Sequence, residues 1–193
     1  PRRAPPDTGK WINASYEPLP ALVEAARLLF ERQPLPRIRT AEAENIPGRV
    51  AGMESLAAEA FISGKRFLVL VTGVPGSGKT LIGLQTAYSR KLPCPAVMLS
   101  GNGPLVSVLQ YILKDSTFVQ PLKNYLRDAL IRSKKAVRER IVIFDEAQRA
   151  WDRDRVLAKH QGDLSSSEPS LLLSLADRQE DGFAVVALMG EGQ

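Results

Sequence analysis

The chain has 193 residues, of which 44% are hydrophobic and 24% charged, enough to bury one full core in an ordinary globular protein. No apolar run reaches the roughly 20 residues of a membrane span, and Cys94 has no second cysteine for a disulfide or a cysteine zinc site, which fits a cytoplasmic protein. The net charge of +5 permits a polyanionic partner without requiring one.

In chain order, residues 1–17 carry Pro1, Pro5, Pro6 and Gly9 with little apolar periodicity and read as an arm. "ALVEAARLLFERQ" follows Pro20, closes before Pro34 and is an amphipathic helix. "RIRTAEAENIPGR" reads as a linker, and "GMESLAAEAFISGK" as a second helix stopped by Gly64. Strands and helices then alternate. "RFLVLVTG", "PAVMLSG", "RIVIFDEA" and "GFAVVALMG" are strands; "TLIGLQTAYSRK", "PLVSVLQYILKD", "PLKNYLRDALIRSKKA" and "PSLLLSLADRQ" are helices. Unbroken apolar strands are expected to be covered on both faces, which predicts an α/β fold with a mainly parallel sheet and crossover helices. "WDRDRVLAKHQGDLSSSE" reads as a long polar loop, and His160 within it as a solvated side chain. The expected division is an N-terminal arm and helix over 1–48 and a nucleotide-binding domain over 49–193. Because the chain starts at Pro1 and stops at Gln193 just past an apolar strand, it is expected to be a piece of a longer protein.

The chemistry begins with "GVPGSGKT", Gly73 to Thr80, a full G-x-x-x-x-G-K-[ST] pattern between a strand and a helix. Gly73, Val74, Pro75, Gly76, Ser77 and Gly78 form a loop whose backbone amides curl toward phosphate oxygens, aided by the positive end of the following helix. Lys79 neutralises the β and γ phosphates, and Thr80 offers its hydroxyl to Mg²⁺. "RIVIFDEAQ" adds the carboxylates that a hydrolysing site needs. Asp145 is the expected metal partner, and Glu146 the base for the attacking water. "ALMGEGQ" ends a third strand in a polar turn at the carboxyl edge of the sheet, where Gln193 can sense the γ-phosphate.

Taken together, "GVPGSGKT", "FDEAQ" and "GEGQ" resemble motifs I, II and III of the first RecA-like lobe of a superfamily 1 helicase. More narrowly, "SGNGPLV", "IVIFDEAQRAWD" and "LMGEGQ" resemble a bacterial domain family akin to the Schlafen-type DNA/RNA helicase domain, over roughly residues 50 to 193. The resemblance implies a RecA-like P-loop fold, ATP and Mg²⁺ as cofactors, and single-stranded DNA or RNA as partner. It also implies a second RecA-like lobe outside this chain. It sets Ser100, Gly101, Asn102 and Gly103 in the place of motif Ia, which contacts the strand in that family. Two departures stand out: Glu191 occupies the usual aspartate position of motif III, and "IPGRVAGMES" offers no clear glutamine to read adenine.

Two further features bear on nucleic acid. "IRSKKAVRER" gathers Arg132, Lys134, Lys135, Arg138 and Arg140 around one Glu139, a pattern equally at home on a solvated helix face. Trp151 can stack on a base or pack in the core. The leading expectation is an ATP-binding and ATP-hydrolysing motor lobe of a DNA/RNA helicase or single-strand translocase. The alternative is a nucleotide-controlled switch ATPase of the AAA or signalling type that moves no strand. A small-molecule kinase fits less well, since nothing resembles an arginine-bearing lid.

Overall fold

A computed structural model of the chain describes residues 22–31, 45–133, 137–160 and 164–190. The order is α1 (Leu22–Phe30), α2 (Ile46–Ser63), β1 (Arg66–Gly73), α3 (Lys79–Ala87), β2 (Ala96–Ser100), α4 (Gly103–Leu113), β3 (Val119–Pro121) and α5 (Leu122–Arg127). The last of these continues as a wider π-helical turn, Asp128–Ser133, before β4 (Ile141–Asp145), α6 (Arg153–His160), α7 (Glu168–Asp177) and β5 (Phe183–Gly190). The strands form one sheet in the order β1-β5-β4-β2-β3, every pairing parallel. This is the expected α/β, RecA-like architecture with a helical N-terminal region.

Two layers of helices cover the sheet, and the period-two alternation of the strands divides their side chains between them. Met98, Ile143, Val186 and Leu188 face one layer, where they meet Ala57 of α2, Ile82 of α3 and Leu109 of α4. Ala25 and Ala26 of α1 are fully buried in this same cluster. Val97, Leu99, Val142 and Val185 face the other layer, against Leu126 of α5, Val156 of α6 and Leu175 of α7.

Three local readings are corrected. The first concerns β1, which lies at the edge of the sheet: Val69 and Val71 pack inward, but Leu68 and Leu70 are 56% and 59% exposed, so this strand is not covered on both faces. The second is the supposed linker, whose end belongs to α2. That helix begins at Ile46, and Pro47 in its first turn supplies a φ already fit for helix. Its other end stops at Gly64 in the left-handed conformation, as expected. The third is the polar stretch after Trp151, which contains α6. Asp152 Oδ1 accepts from the Arg155 amide at 2.9 Å to start it, and buried Val156 anchors it to the core. The short β3 between α4 and α5 was not anticipated from sequence.

Register then fixes the site. Gly73 pairs with Gly190, and Ser100 with Asp145, so the ends of β1, β5, β4 and β2 reach one carboxyl edge together. Arg140, just before β4, lies at the opposite edge, where it pairs with Asp181 at 3.3 Å. Arg132 is engaged by Asp128 at 2.8 Å, and Lys134 and Lys135 fall outside the described residues. Among the described residues no helix is long and apolar enough to cross a membrane.

Candidate nucleotide site and adjoining cleft

The turn from β1 into α3 is a loop built to present backbone. Gly76 and Gly78 hold φ of 80° and 82°, the left-handed region that side-chain-bearing residues rarely occupy. Lys79 then reaches back across the loop, donating from Nζ to the Gly73 and Val74 carbonyls at 2.7 and 2.8 Å and to Ser77 Oγ at 3.4 Å. The ammonium is thereby held across the loop by the loop's own acceptors. The hollow in front of it, about 320 Å³, is lined by Pro75, Gly76, Lys79, Thr80, Glu146 and Gln148 among others.

Thr80, the next residue of α3, donates from Oγ1 to Asp145 Oδ1 at 3.0 Å. Asp145 is 2% exposed, and its Oδ2 has no hydrogen-bond partner. Burial pushes its carboxyl from the ordinary 3.8 up to about 6; the Thr80 hydroxyl draws it down and the neighbouring Glu146 charge raises it further. A buried carboxylate oxygen without a partner beside a hydroxyl is a donor set suited to a hard cation. Among the described residues no group of three or more His, Cys, Asp or Glu could hold a metal alone. These two residues therefore fit Mg²⁺ that keeps its waters and phosphate oxygens as remaining ligands.

Glu146 follows in a strained position. Its φ of 56° is left-handed without being a glycine, and it starts the single helical turn Ala147–Arg149. Gln148 Nε2 donates to Glu146 Oε2 at 3.0 Å, while Gln148 Oε1 accepts from the Gly190 amide at 3.0 Å. Gln148 thus ties the end of β4 to the end of β5, a role not anticipated from sequence. Leu22 of α1 also lines the 320 Å³ hollow without having been anticipated. Gln193 and Glu191 lie outside the described residues; β5 ends at Gly190, which pairs with Gly73.

Beside this hollow opens a larger cleft of about 800 Å³. Ser100, Gly101, Asn102 and Gly103 line one side of it, together with Gln148, Arg149 and Trp151. Ser100 is buried and accepts from the Asn102 amide at 3.2 Å, while Asn102 Oδ1 caps α4 by accepting from Leu105 at 3.3 Å. The Asn102 carbonyl oxygen of the side chain is thus engaged in shaping the cleft. Trp151 is half-buried against the core, with the Arg155 guanidinium 4.7 Å from its ring centre. Its amide donates to Glu168 Oε2 at 2.7 Å, and the Glu168 amide donates back to the Trp151 carbonyl at 3.0 Å.

No curated protein matches the chain. Among solved structures, one described as the structural basis for katanin self-assembly superposes with a TM-score of 0.40 at 17% identity, over 93% of this chain and 55% of that one. The chain therefore spans about half the length of that structure. The strand, loop and carboxylates set out above all fall within residues 66–193, which match the family described as Schlafen group 3, DNA/RNA helicase domain, and the chain belongs to that family.

Proposed function

We propose that this chain is the ATP-binding and ATP-hydrolysing lobe of a motor that acts on single-stranded DNA or RNA. The observation that carries the reading is the convergence of Lys79, Thr80, Asp145 and Glu146 at one sheet edge, with Thr80 and Asp145 in contact at 3.0 Å. In this reading Lys79 leaves its loop carbonyls for the β and γ phosphates of ATP. Thr80 and Asp145 would hold Mg²⁺, which would supply neutralisation of phosphate charge. Glu146 takes the proton of the attacking water. Gln193, which follows β5 in sequence, would sense the γ-phosphate. A second RecA-like lobe of a longer protein would add an arginine to the same charge.

The cleft beside the nucleotide pocket is the proposed strand site. Its glycines at 101 and 103 are exposed and leave room for a backbone to approach, and Trp151 gives an aromatic surface. The test is ATP hydrolysis by the protein carrying both lobes, with and without single-stranded DNA or RNA, against a Lys79→Ala control. Stimulation that the control lacks is the expected result. Hydrolysis indifferent to either strand would replace the motor by a nucleotide-controlled switch.

A further inference from the structure

The hollow of about 320 Å³ takes its polar lining from Lys79 and Thr80 at the start of α3 and from Glu146 and Gln148 after β4. Among the described residues that line it, Leu22 alone comes from ahead of β1. It is the first residue of α1, and the helical period puts Leu22, Ala25, Ala26 and Leu29 on one face. Ala25 and Ala26 are fully buried, Leu22 and Leu29 are partly buried against the same cluster, and α1 packs on α3 and α4. The other side of the helix meets water, where Arg27 pairs with Glu24 and Glu31 at 2.8 Å each. Leu22 is therefore held at the hollow by the docking of its own helix. The loop has a separate support in α2, whose buried Ile46 comes within 3.1 Å of where a Cβ on Gly78 would stand.

An aliphatic side chain in this place has a chemical consequence. A nucleoside triphosphate is a polyanion at one end and a flat base with two apolar faces at the other. The amides of the loop and Lys79 suit the anionic end. Leucine methyls do nothing for a phosphate, and setting them against its oxygens would strip water from charge without replacing it. Against the face of a base the same methyls leave water favourably, in proportion to the area covered.

We propose that Leu22 is a nucleobase contact of this site, the side chain on which one face of the base packs while the phosphates occupy the loop. The N-terminal helix α1 is thereby part of the binding site as well as a cover for the core. Leucine has neither donor nor acceptor, so the contact adds affinity without choosing between adenine and guanine. The inference rests on the reading of the hollow as a nucleotide site.

The test is calorimetric binding of four ligands, each with Mg²⁺, to the full 193-residue chain: ATP, GTP, ribose 5-triphosphate and inorganic tripolyphosphate. Leu22→Ala should weaken ATP and GTP alike, by roughly three- to tenfold for the methyls withdrawn, and should leave the two ligands without a base unchanged. Leu22→Met, apolar and of similar volume, should restore both affinities. Val23→Ala, on the exposed side of the same helix, should change none of the four. Unchanged tripolyphosphate binding in every variant reports that the loop and the fold around it are intact. ATP binding indifferent to Leu22→Ala overturns the inference alone. So does a loss shared by tripolyphosphate, which would make Leu22 a support of the loop, or one shared by ribose 5-triphosphate, which would move the contact to the sugar. A loss confined to ATP or to GTP overturns it too. Failure of the unsubstituted chain to bind any of the four removes the nucleotide-site reading and the inference with it.

Discussion

Thr80 on α3 donates its hydroxyl hydrogen to Asp145 at the end of β4, at 3.0 Å across 65 positions of sequence. The bond joins the loop after β1 to the end of β4, so the two halves of the proposed nucleotide site are in contact. It also leaves one oxygen of a buried carboxylate without a partner. The protein thus carries an energetic cost that a cation would relieve.

That cost is visible through pH. Burial raises the Asp145 carboxyl from its ordinary 3.8 to about 6, so the folded chain binds a proton more tightly than the unfolded one between those values. Stability from this group is therefore present below about pH 4 and is lost as pH rises through about 6. Asp145→Asn removes the dependence. In denaturant titrations the variant should exceed the unsubstituted chain at pH 8, by no more than roughly 3 kcal/mol, with the gap closing toward pH 4. It should also lose any Mg²⁺ dependence of nucleotide binding. A variant less stable at pH 8 than at pH 4, relative to the unsubstituted chain, would contradict the assigned protonation.

How much of this could be read beforehand differs from part to part. The bounds of β1 and the loop from Gly73 to Thr80 were legible because an apolar run meets a fixed spacing of glycines and a lysine, all local in sequence. That β1 is an edge strand was not, because Leu68 and Leu70 look the same in a central strand; strand order alone exposes them. α6 was hidden because its hydrophobic contact rests on Val156 within a run of charges. Gln148 was hidden for a related reason: its bond to Gly190 exists only because β5 lies beside β4, and no spacing in the chain announces that.

Lys79→Ala should remove most nucleotide affinity while leaving the fold intact. Nζ is a cation held on the loop, and its present partners are two carbonyls and the Ser77 hydroxyl, which water can satisfy instead. Loss of charge-assisted bonds to phosphate is worth roughly 1.5–3 kcal/mol each, so calorimetry should show affinity falling by at least about tenfold. Undiminished ATP binding would refute the assignment of the loop.

Glu146→Gln separates binding from chemistry. The amide keeps the shape of the side chain and can still accept from Gln148, but it cannot take a proton. Mg-ATP binding should persist, and turnover by the protein with both lobes should drop by about 10²- to 10⁴-fold, the range for a positioned general base. Single-turnover measurements with saturating ATP check this directly. Equal turnover would give the role of base to another group.

The last prediction concerns what shapes the cleft. Glu168 opens α7, where a carboxylate meets the favourable end of the helix dipole, and its side chain is nonetheless buried. Burial raises its carboxyl, while the bond from the Trp151 amide draws it back down. Burial outweighs that bond and the Arg155 charge together, so ionisation is disfavoured, and the acceptor oxygen is what matters. Glu168→Gln keeps an acceptor for the Trp151 amide and should change stability by less than about 1 kcal/mol. Glu168→Ala removes that acceptor beside the core and should cost roughly 1–3 kcal/mol, and it should loosen the chain at Trp151. Hydrogen exchange at the Trp151 amide, with denaturant unfolding of both variants, distinguishes the cases. Equal losses in the two variants would show that the charge, and not the acceptor, holds the cleft wall in place.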